Sequence, residues 1–146
     1  MEVFTIGSTR RSAEGLFEPI REAGVGRVVD VRLHNTSNLA GLARRAHLPY
    51  LLREVCGAEY VHEPLLAPSI ELFDGLKKRG LAWDVYERRF LEVMVERQIE
   101  KRIDRALLFN LPTALLCACA RADRCHRRLV LEYLQPSWGP FQVTHL

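Results

Sequence analysis

The chain has 146 residues, of which 48% are hydrophobic, and a formal net charge of +3. This length and composition exclude a disordered chain and predict one domain that buries a core without cross-links. No apolar run approaches the ~20 residues of a membrane-spanning helix. The first residues enter a strand-like segment without the pattern of a signal peptide, so we expect a cytoplasmic protein with reduced thiols. The mild positive charge neither requires nor excludes a nucleic-acid partner.

Strand and helix patterns alternate along the chain, with period-2 or continuous apolar runs for strands and one apolar face for helices. The predicted elements in chain order are a strand over Val3–Ile6, a helix over Ser12–Gly24, a strand over Arg27–Arg32, a long polar loop over Leu33–His47, a helix over Pro49–Cys56, a strand over Glu59–His62, a helix over Ile70–Lys78, a helix over Trp83–Leu107, a buried strand over Ala114–Cys119, a helix over Cys125–Leu134, a turn at Pro136–Pro140 and a strand over Phe141–His145.

Strands that alternate with helices imply a mostly parallel, Rossmann-like sheet with helices on both faces. The sequence therefore predicts a single three-layer α/β domain over residues 1–146. In such a sheet the carboxyl ends of the strands share one edge, and ligands bind there near a reversal in strand order. Gly7-Ser8-Thr9, Asp30 with Arg32, and the loop from Cys117 to Cys125 all follow strands. We expect these segments to form one pocket.

The junction between the fourth strand and the next helix contains three cysteines, one histidine and four arginines. Asp123 is predicted to be the N-cap of this helix, which would place Cys125 and His126 in its first turn. Free N–H groups and the positive end of the helix dipole favour an anion at that position. A thiol located there is expected to ionise more easily than a free one.

Several short motifs occur in a fixed order along the chain. They include Ile6-Gly7-Ser8-Thr9, Asp30-Val31-Arg32, Leu33–Gly41, Leu66–Ser69, Trp83 with Tyr86 and Phe90, and Cys117-x7-Cys125-His126-Arg127. In these motifs the sequence resembles the microbial family catalogued as domain of unknown function 488, over nearly its whole length. The resemblance implies an α/β fold and a site at these residues, but it implies no reaction.

The sequence departs from the pattern of that family at two positions. Cys119 stands where the family commonly has glutamate, and Ser8 stands where an aromatic residue or histidine is usual. An acid–base role for that glutamate is therefore not carried over to this chain.

The first hypothesis is an enzyme that acts on a phosphorylated, nucleotide-like or nucleic-acid substrate. Arg32 and Arg127 would hold the anion, aided by the N–H groups of the last helix. Cys125 would act as nucleophile or His126 as general acid–base, with Asp30 orienting a partner or accepting a proton. The other predicted substrate-binding residues are Gly7, Ser8, Thr9, Asn35, Cys117 and Cys119. The sequence identifies no cofactor.

A structural interpretation of the same residues competes with this hypothesis. Asp30, Arg32 and Arg127 could form ion pairs that only join strand ends, and Cys117 could be a small core residue, as buried cysteines usually are. For Asp30 and Arg32, the sequence supports the functional and the structural interpretation about equally.

The second hypothesis is a metal-binding or redox module built from Cys117, Cys119, Cys125 and His126, whose ligand types suit zinc. Two expectations argue against it. Cys117 and Cys119 lack the turn that separates the first ligand pair of common zinc knuckles, and neighbouring residues on a helix, such as Cys125 and His126, point in different directions.

The third hypothesis is a protein that binds nucleic acid without catalysis. Its basic rim would consist of Arg10, Arg11, Arg44, Arg45, Arg121, Arg124, Arg127 and Arg128. These arginines are not interleaved with the aromatic side chains of a stacking platform. The expected signature of this class is a strong fall of affinity with salt.

Overall fold

The computed structural model of the protein describes all 146 residues and has the predicted alternation of strands and helices. Three short 3₁₀ segments lie at Asn38–Ala43, Pro64–Leu66 and Ala122–Arg124. The main elements are β1 (Glu2–Gly7), α1 (Ala13–Glu22), β2 (Arg27–Asp30), α2 (Leu48–Leu51, continued by a π-helical turn at Leu52–Cys56), β3 (Glu59–His62), α3 (Ile70–Lys78), α4 (Trp83–Arg97), α5 (Ile99–Arg102), α6 (Ala106–Phe109), β4 (Thr113–Cys117), α7 (His126–Trp138) and β5 (Gln142–His145).

The five strands form one parallel sheet in the order β3-β2-β4-β1-β5. The three inner strands are the most buried, which explains the nearly continuous apolar sequence of β2 and β4. The predicted α/β class with a parallel sheet is thus confirmed. The order differs from the 3-2-1-4-5 order that is typical of Rossmann folds, so the finer term Rossmann-like is not confirmed.

Two apolar cores cover the two faces of the sheet, and successive residues of β4 enter different cores. Ala114 and Leu116 pack in the core that contains the apolar side chains of α1 and α2. Leu115 and Cys117 pack in the larger core, which contains those of α4 and α7. This alternation follows from the period of two along a strand. It places Cys117 at the carboxyl end of β4, on the face covered by α7.

The connections after β1 and β4 lead to opposite faces of the sheet. Since β1 and β4 are neighbours, their following loops separate and leave a crevice at the carboxyl edge, where ligands of open α/β sheets bind. None of the helices combines the length and apolarity needed to cross a lipid bilayer.

The predicted helix over Trp83–Leu107 is wrong as a single element. Gln98 has a left-handed conformation with φ of 53° and ends α4, and Ile103 is extended, so the segment forms three helices. The predicted apolar face is nevertheless buried at Phe90, Met94, Ile99 and Ile103. Hydrophobic periodicity therefore identified the buried side chains but not the backbone reversal at Gln98.

Glycine at position 98 should stabilise the protein, because glycine adopts positive φ without the steric cost that Cβ imposes. We expect Gln98→Gly to raise the free energy of unfolding by about 0.5–1 kcal/mol in urea titrations. As control, Glu96→Gly changes an exposed position inside α4 and should lower the free energy of unfolding by about 1 kcal/mol. Equal destabilisation by both substitutions would contradict the left-handed backbone at Gln98.

The start and end of α7 differ from the sequence prediction. Asp123 lies in a 3₁₀ turn and is not the N-cap; that position belongs to Cys125, which is extended with φ −143° and ψ 141°. The helix begins at His126 and continues through Pro136 to Trp138. A proline near the carboxyl end removes one backbone hydrogen bond without ending the helix, so the predicted turn at Pro136 is wrong.

Candidate functional site

A cavity of about 280 Å³ opens at the carboxyl edge of the sheet. Seven of the predicted site residues line it, namely Ser8, Thr9, Arg32, Cys117, Cys119, Cys125 and His126. Gly7, Asp30, Asn35 and Arg127 lie behind its wall and do not line it. The volume suits a small molecule. The predicted convergence of the segments after β1, β2 and β4 on one pocket is therefore observed.

Three thiols and one imidazole meet at the floor of this cavity, and we call Cys117, Cys119, Cys125 and His126 the Cys/His cluster. The Cys117 sulfur lies 2.9 Å from the Cys125 sulfur, 3.6 Å from the Cys119 sulfur and 3.7 Å from His126 Nδ1. All three cysteines are free thiols, and Cys117 and Cys125 are buried. The extended backbone of Cys125 explains this convergence, because it lets Cys125 and His126 point into the same cluster.

The orientation of the His126 ring is fixed by a backbone carbonyl. Nε2 lies 2.7 Å from the carbonyl oxygen of Val31, which can only accept, so Nε2 carries the hydrogen and donates it. Nδ1 then holds a lone pair directed at the Cys117 sulfur. Burial lowers the pKa of His126 more than the contact with Val31 raises it, so the ring is neutral at neutral pH.

The electrostatic surroundings distinguish the thiols. Burial raises the pKa of Cys117, but its hydrogen bonds with Cys119 and Cys125 and the charge of Arg127 outweigh it, so this pKa lies well below its ordinary value. Burial and the neighbouring Cys117 sulfur raise the pKa of Cys125. The contacts thus favour Cys117 as the thiolate and Cys125 as a donor, whereas the sequence favours Cys125 as the ionised thiol.

Arg127 lies under the cluster with its guanidinium engaged by the fold. Its Nε donates to the Thr5 hydroxyl at 3.2 Å and its Nη1 to the Cys119 carbonyl at 2.8 Å. The side chain is buried and does not line the cavity. Its contribution to the site is a fixed positive charge beside the thiols and an anchor for the loop that follows β4.

Asp30 and Arg32 form a buried ion pair at the end of β2. Arg32 donates through Nε and Nη2 to the two carboxylate oxygens, each at 2.8 Å, and Asp30 is fully buried. Tyr60 and Asn35 also donate to the carboxylate, at 2.6 and 3.2 Å. These contacts favour the ion-pair interpretation of Asp30 and give Asn35 a structural partner; the predicted proton-accepting role of Asp30 stays a prediction.

The segment after β1 extends the pairing of that strand with β4. The Ser8 and Thr9 amides donate to the carbonyls of Cys117 and Ala118, at 2.9 and 3.0 Å, so only their side chains are free to face the cavity. A Cβ on Gly7 would lie 1.7 Å from the Cys119 carbonyl oxygen. Glycine at position 7 thus permits the backbones of β1 and the Cys119 loop to approach each other.

The chain is similar to a known protein family over most of its length. The sequence profile described as "Domain of unknown function DUF488" matches residues 12–134. The chain belongs to the DUF488 family. The matched range contains the whole Cys/His cluster, Asp30 and Arg32, whereas Gly7, Ser8 and Thr9 precede it. No curated protein and no solved structure is significantly similar to this DUF488 chain.

The charged residues around the cavity of this DUF488 protein are all basic. Besides Arg32, they are Lys77 in α3 and Arg124 beside α7, and no aspartate or glutamate lines the cavity. Lys77 and Arg124 are exposed and make no ion pair or hydrogen bond within the chain. Sequence reasoning missed Lys77 and named Arg124 only as part of a nucleic-acid rim, because a single cation on a helix or in a loop carries no pattern that places it at a cavity.

Aromatic side chains form part of the cavity wall in this DUF488 chain. Trp83 and Tyr86 stack on each other with centroids 5.1 Å apart, and Phe73 contacts His34 edge-on at 4.9 Å. All four residues line the cavity. The sequence alone does not identify Trp83 and Tyr86 as cavity residues, since helical periodicity cannot distinguish a core face from a cavity wall.

The arginines proposed for a nucleic-acid rim are mostly occupied by other contacts. Arg10 and Arg124 make no hydrogen bond or ion pair, but each of the other six contacts a partner within the chain. Those six contacts join Arg11 to Leu146, Arg44 to His47, Arg45 to His62, Arg121 to Asp123, Arg127 to Thr5 and Arg128 to Glu132. Of these partners only Asp123 and Glu132 are acidic side chains, and the nucleic-acid hypothesis stays a prediction.

Proposed function

We propose that this DUF488 protein is an enzyme that binds a small phosphorylated or nucleotide-like substrate in the cavity and uses the Cys/His cluster as its reactive group. The observation that carries the proposal is the composition of the cavity. Its floor holds two buried thiols and a neutral imidazole, and its charged wall residues are exclusively cationic. A cavity with nucleophilic groups and a cationic wall suits an anionic substrate.

The cationic groups are placed at two depths. Arg32 uses Nε and Nη2 for Asp30 and the Ala43 carbonyl, while Nη1 makes no hydrogen bond within the chain and is the nitrogen available to a ligand. Lys77 and Arg124 lie at the mouth with their charges free. Arg32 would thus contact the anion near the cluster, and the two outer residues would contact further phosphate oxygens.

Within the proposed enzyme, His126 Nδ1 is the proton acceptor beside the Cys117 sulfur, and Cys125 donates to that sulfur. Asp30 acts through Arg32, which it holds in a fixed orientation. The aromatic wall formed by Trp83, Tyr86 and Phe73 suits a planar, apolar part of the substrate, such as a nucleobase.

Binding of simple anions tests the proposal. We expect inorganic phosphate and adenosine monophosphate to bind the wild-type protein in isothermal titration calorimetry, with the nucleotide tighter because it also fills the aromatic wall. Lys77→Gln and Arg124→Gln should each weaken binding of the nucleotide by about three- to tenfold, since each removes one charge-assisted contact.

Lys78→Gln is the matched control for Lys77→Gln. Lys78 is the next residue of α3, pairs with Asp74 at 3.5 Å and does not line the cavity. Lys78→Gln should leave the affinity for the nucleotide within about twofold of wild type, because Lys78 does not line the cavity. Loss of its exposed ion pair should change the stability of the protein little. Absence of binding by both anions, or equal effects of the Lys77 and Lys78 substitutions, would contradict the proposal.

A further inference from the structure

We propose that Cys117, Cys125 and His126 bind one zinc ion whose fourth coordination position faces the cavity. The two sulfurs and a ring nitrogen of His126 all lie within 4.8 Å of one another, and all three residues line the cavity. Three protein ligands with one open position are typical of catalytic zinc sites, and sets of two cysteines and one histidine occur among them. The chemical role of the ion rests on the proposed function, whereas its binding can be measured without any substrate.

The distance between the Cys117 sulfur and His126 Nδ1 matches a zinc tetrahedron, and the distance between the two sulfurs is shorter than one requires. With Zn–S bonds of about 2.3 Å and Zn–N bonds of about 2.0 Å, two sulfur ligands lie about 3.8 Å apart, and a sulfur and a nitrogen ligand about 3.5 Å apart. Cys117 Sγ lies 3.7 Å from His126 Nδ1, which already fits. The Cys125 sulfur, at 2.9 Å from Cys117, would move outward by slightly less than one ångström.

The surroundings of His126 are those of a metal ligand. Its Nε2 donates to the Val31 carbonyl at 2.7 Å, which leaves Nδ1 as the coordinating nitrogen and fixes the plane of the ring. The Phe90 ring packs against the imidazole with centroids 5.5 Å apart. A backbone acceptor behind the ring and an apolar residue beside it are features that orient a histidine ligand and exclude water from one side.

The direction of the side chains removes the main sequence argument against a metal site. That argument assumed that Cys125 and His126 both lie within a helix and point apart. Cys125 precedes α7 with extended backbone, so its sulfur and the His126 ring face the same point. Thiolate and imidazole donors favour zinc over magnesium or calcium, which prefer oxygen ligands.

Cys119 is not among the three donors that all lie within 4.8 Å of one another, so we do not count it as a ligand. Its sulfur is 3.6 Å from Cys117, and the residue is more exposed than the other two cluster cysteines. A zinc ion at this place would present its free position to the same cavity that Arg32, Lys77 and Arg124 line. It would supply a Lewis acid for an oxygen of the anionic substrate.

The experiment is the metal content of untagged protein purified without chelators, measured by plasma mass spectrometry, followed by replacement of zinc with Co²⁺. We expect one zinc ion per chain. The cobalt form should show a sulfur-to-cobalt charge-transfer band and the intense visible bands of tetrahedral cobalt. This spectrum of the wild-type protein decides the question even if a cluster variant fails to fold.

Serine variants assign the ligands. We expect Cys117→Ser and Cys125→Ser to lower zinc occupancy at least roughly tenfold in competition with a chelator. Cys119→Ser should keep the metal. Cys56→Ser is the control, because Cys56 is half-buried, contacts the Phe17 carbonyl and lies outside the cluster, so its zinc content should equal that of wild type.

Protein without zinc that also fails to bind Co²⁺ would overturn the inference, and loss of metal in Cys119→Ser would overturn the assignment of three ligands. Neither result depends on anion binding. The calorimetric effects of Lys77→Gln and Arg124→Gln would still support the proposed enzyme if the zinc inference failed, with a free thiolate as its reactive group. Conversely, a zinc-loaded protein that binds no anion would contradict the proposed function alone.

Discussion

Gly7→Ala should destabilise the protein by about 2–4 kcal/mol and disturb the cavity floor, because the added methyl group has no room. Its Cβ would lie 1.7 Å from the Cys119 carbonyl oxygen and 2.9 Å from Arg127 Nη1. These two neighbours are hydrogen-bonded to each other, since Arg127 Nη1 donates to the Cys119 carbonyl. Relief of the clash therefore requires the Cys119 loop to move away from β1. Urea unfolding followed by far-ultraviolet circular dichroism measures the loss.

Gly26→Ala is the matched control for this substitution. Gly26 precedes β2, and a Cβ there would meet its nearest neighbour, Leu111 Cβ, at an ordinary distance of 3.6 Å. We expect a change within about 1 kcal/mol, because the new methyl group fits and reduces the freedom of the unfolded chain. If Gly7→Ala proved as stable as Gly26→Ala, the close approach of β1 and the Cys119 loop would be wrong.

Asp30→Asn should cost about 3–5 kcal/mol of unfolding free energy, because it leaves the Arg32 guanidinium buried without its counter-ion. Arg32 is 4% exposed and donates twice to this carboxylate. Such a loss is a large fraction of the stability of a typical domain. The double variant Asp30→Asn with Arg32→Met removes both charges and should recover part of the loss in the same urea titrations.

Glu59→Gln is the control for Asp30→Asn, because it removes an exposed ion pair where Asp30→Asn removes a buried one. Glu59 pairs with Arg27, but its side chain is 52% exposed, and Arg27 keeps contacts with the Ala106 and Leu107 carbonyls. This substitution should cost less than about 1 kcal/mol. A similarly small cost for Asp30→Asn would contradict the buried ion pair at the end of β2.

The loss of unfolding free energy caused by Asp30→Asn should also depend on pH. Burial raises the pKa of Asp30, but the hydrogen bonds and charge of Arg32 outweigh burial and hold this pKa below its ordinary value of 3.8. Such a carboxylate stabilises the fold above the unfolded-state pKa and loses that contribution as the pH falls through the folded-state pKa. The stability difference between wild type and Asp30→Asn should therefore be constant near neutral pH and shrink in strong acid.

The sequence predicted the sheet strands and the place of the cavity because both depend on strong local patterns. Continuous apolar runs mark β2 and β4, and the polar residues that follow them must lie at the shared carboxyl edge of a parallel sheet. Those two rules alone place Asp30, Arg32 and Cys117 close together. The structure adds the strand order, which no local pattern encodes.

Other features depend on side-chain contacts that a linear pattern does not contain. Asp123 has the residue type of an N-cap, but it pairs with Arg121 and Cys125 occupies that position. This two-residue shift of the N-cap changes the direction of the Cys125 thiol and thus the chemistry of the cluster. Arg127 was predicted to bind substrate, and its buried contacts with Thr5 and Cys119 could be recognised only once β1 and β4 were known to be neighbours.

The cations at the cavity mouth are also the ones that the fold does not need. Lys77 and Arg124 are exposed and have no partner within the chain, whereas Arg32 and Arg127 are tied to the strand ends. Mutations at the two outer positions are therefore nearly free of a stability cost. Evolution can alter which molecule enters this cavity by exchanging residues at its mouth, while the floor, which shares its side chains with the core, stays under selection for folding itself.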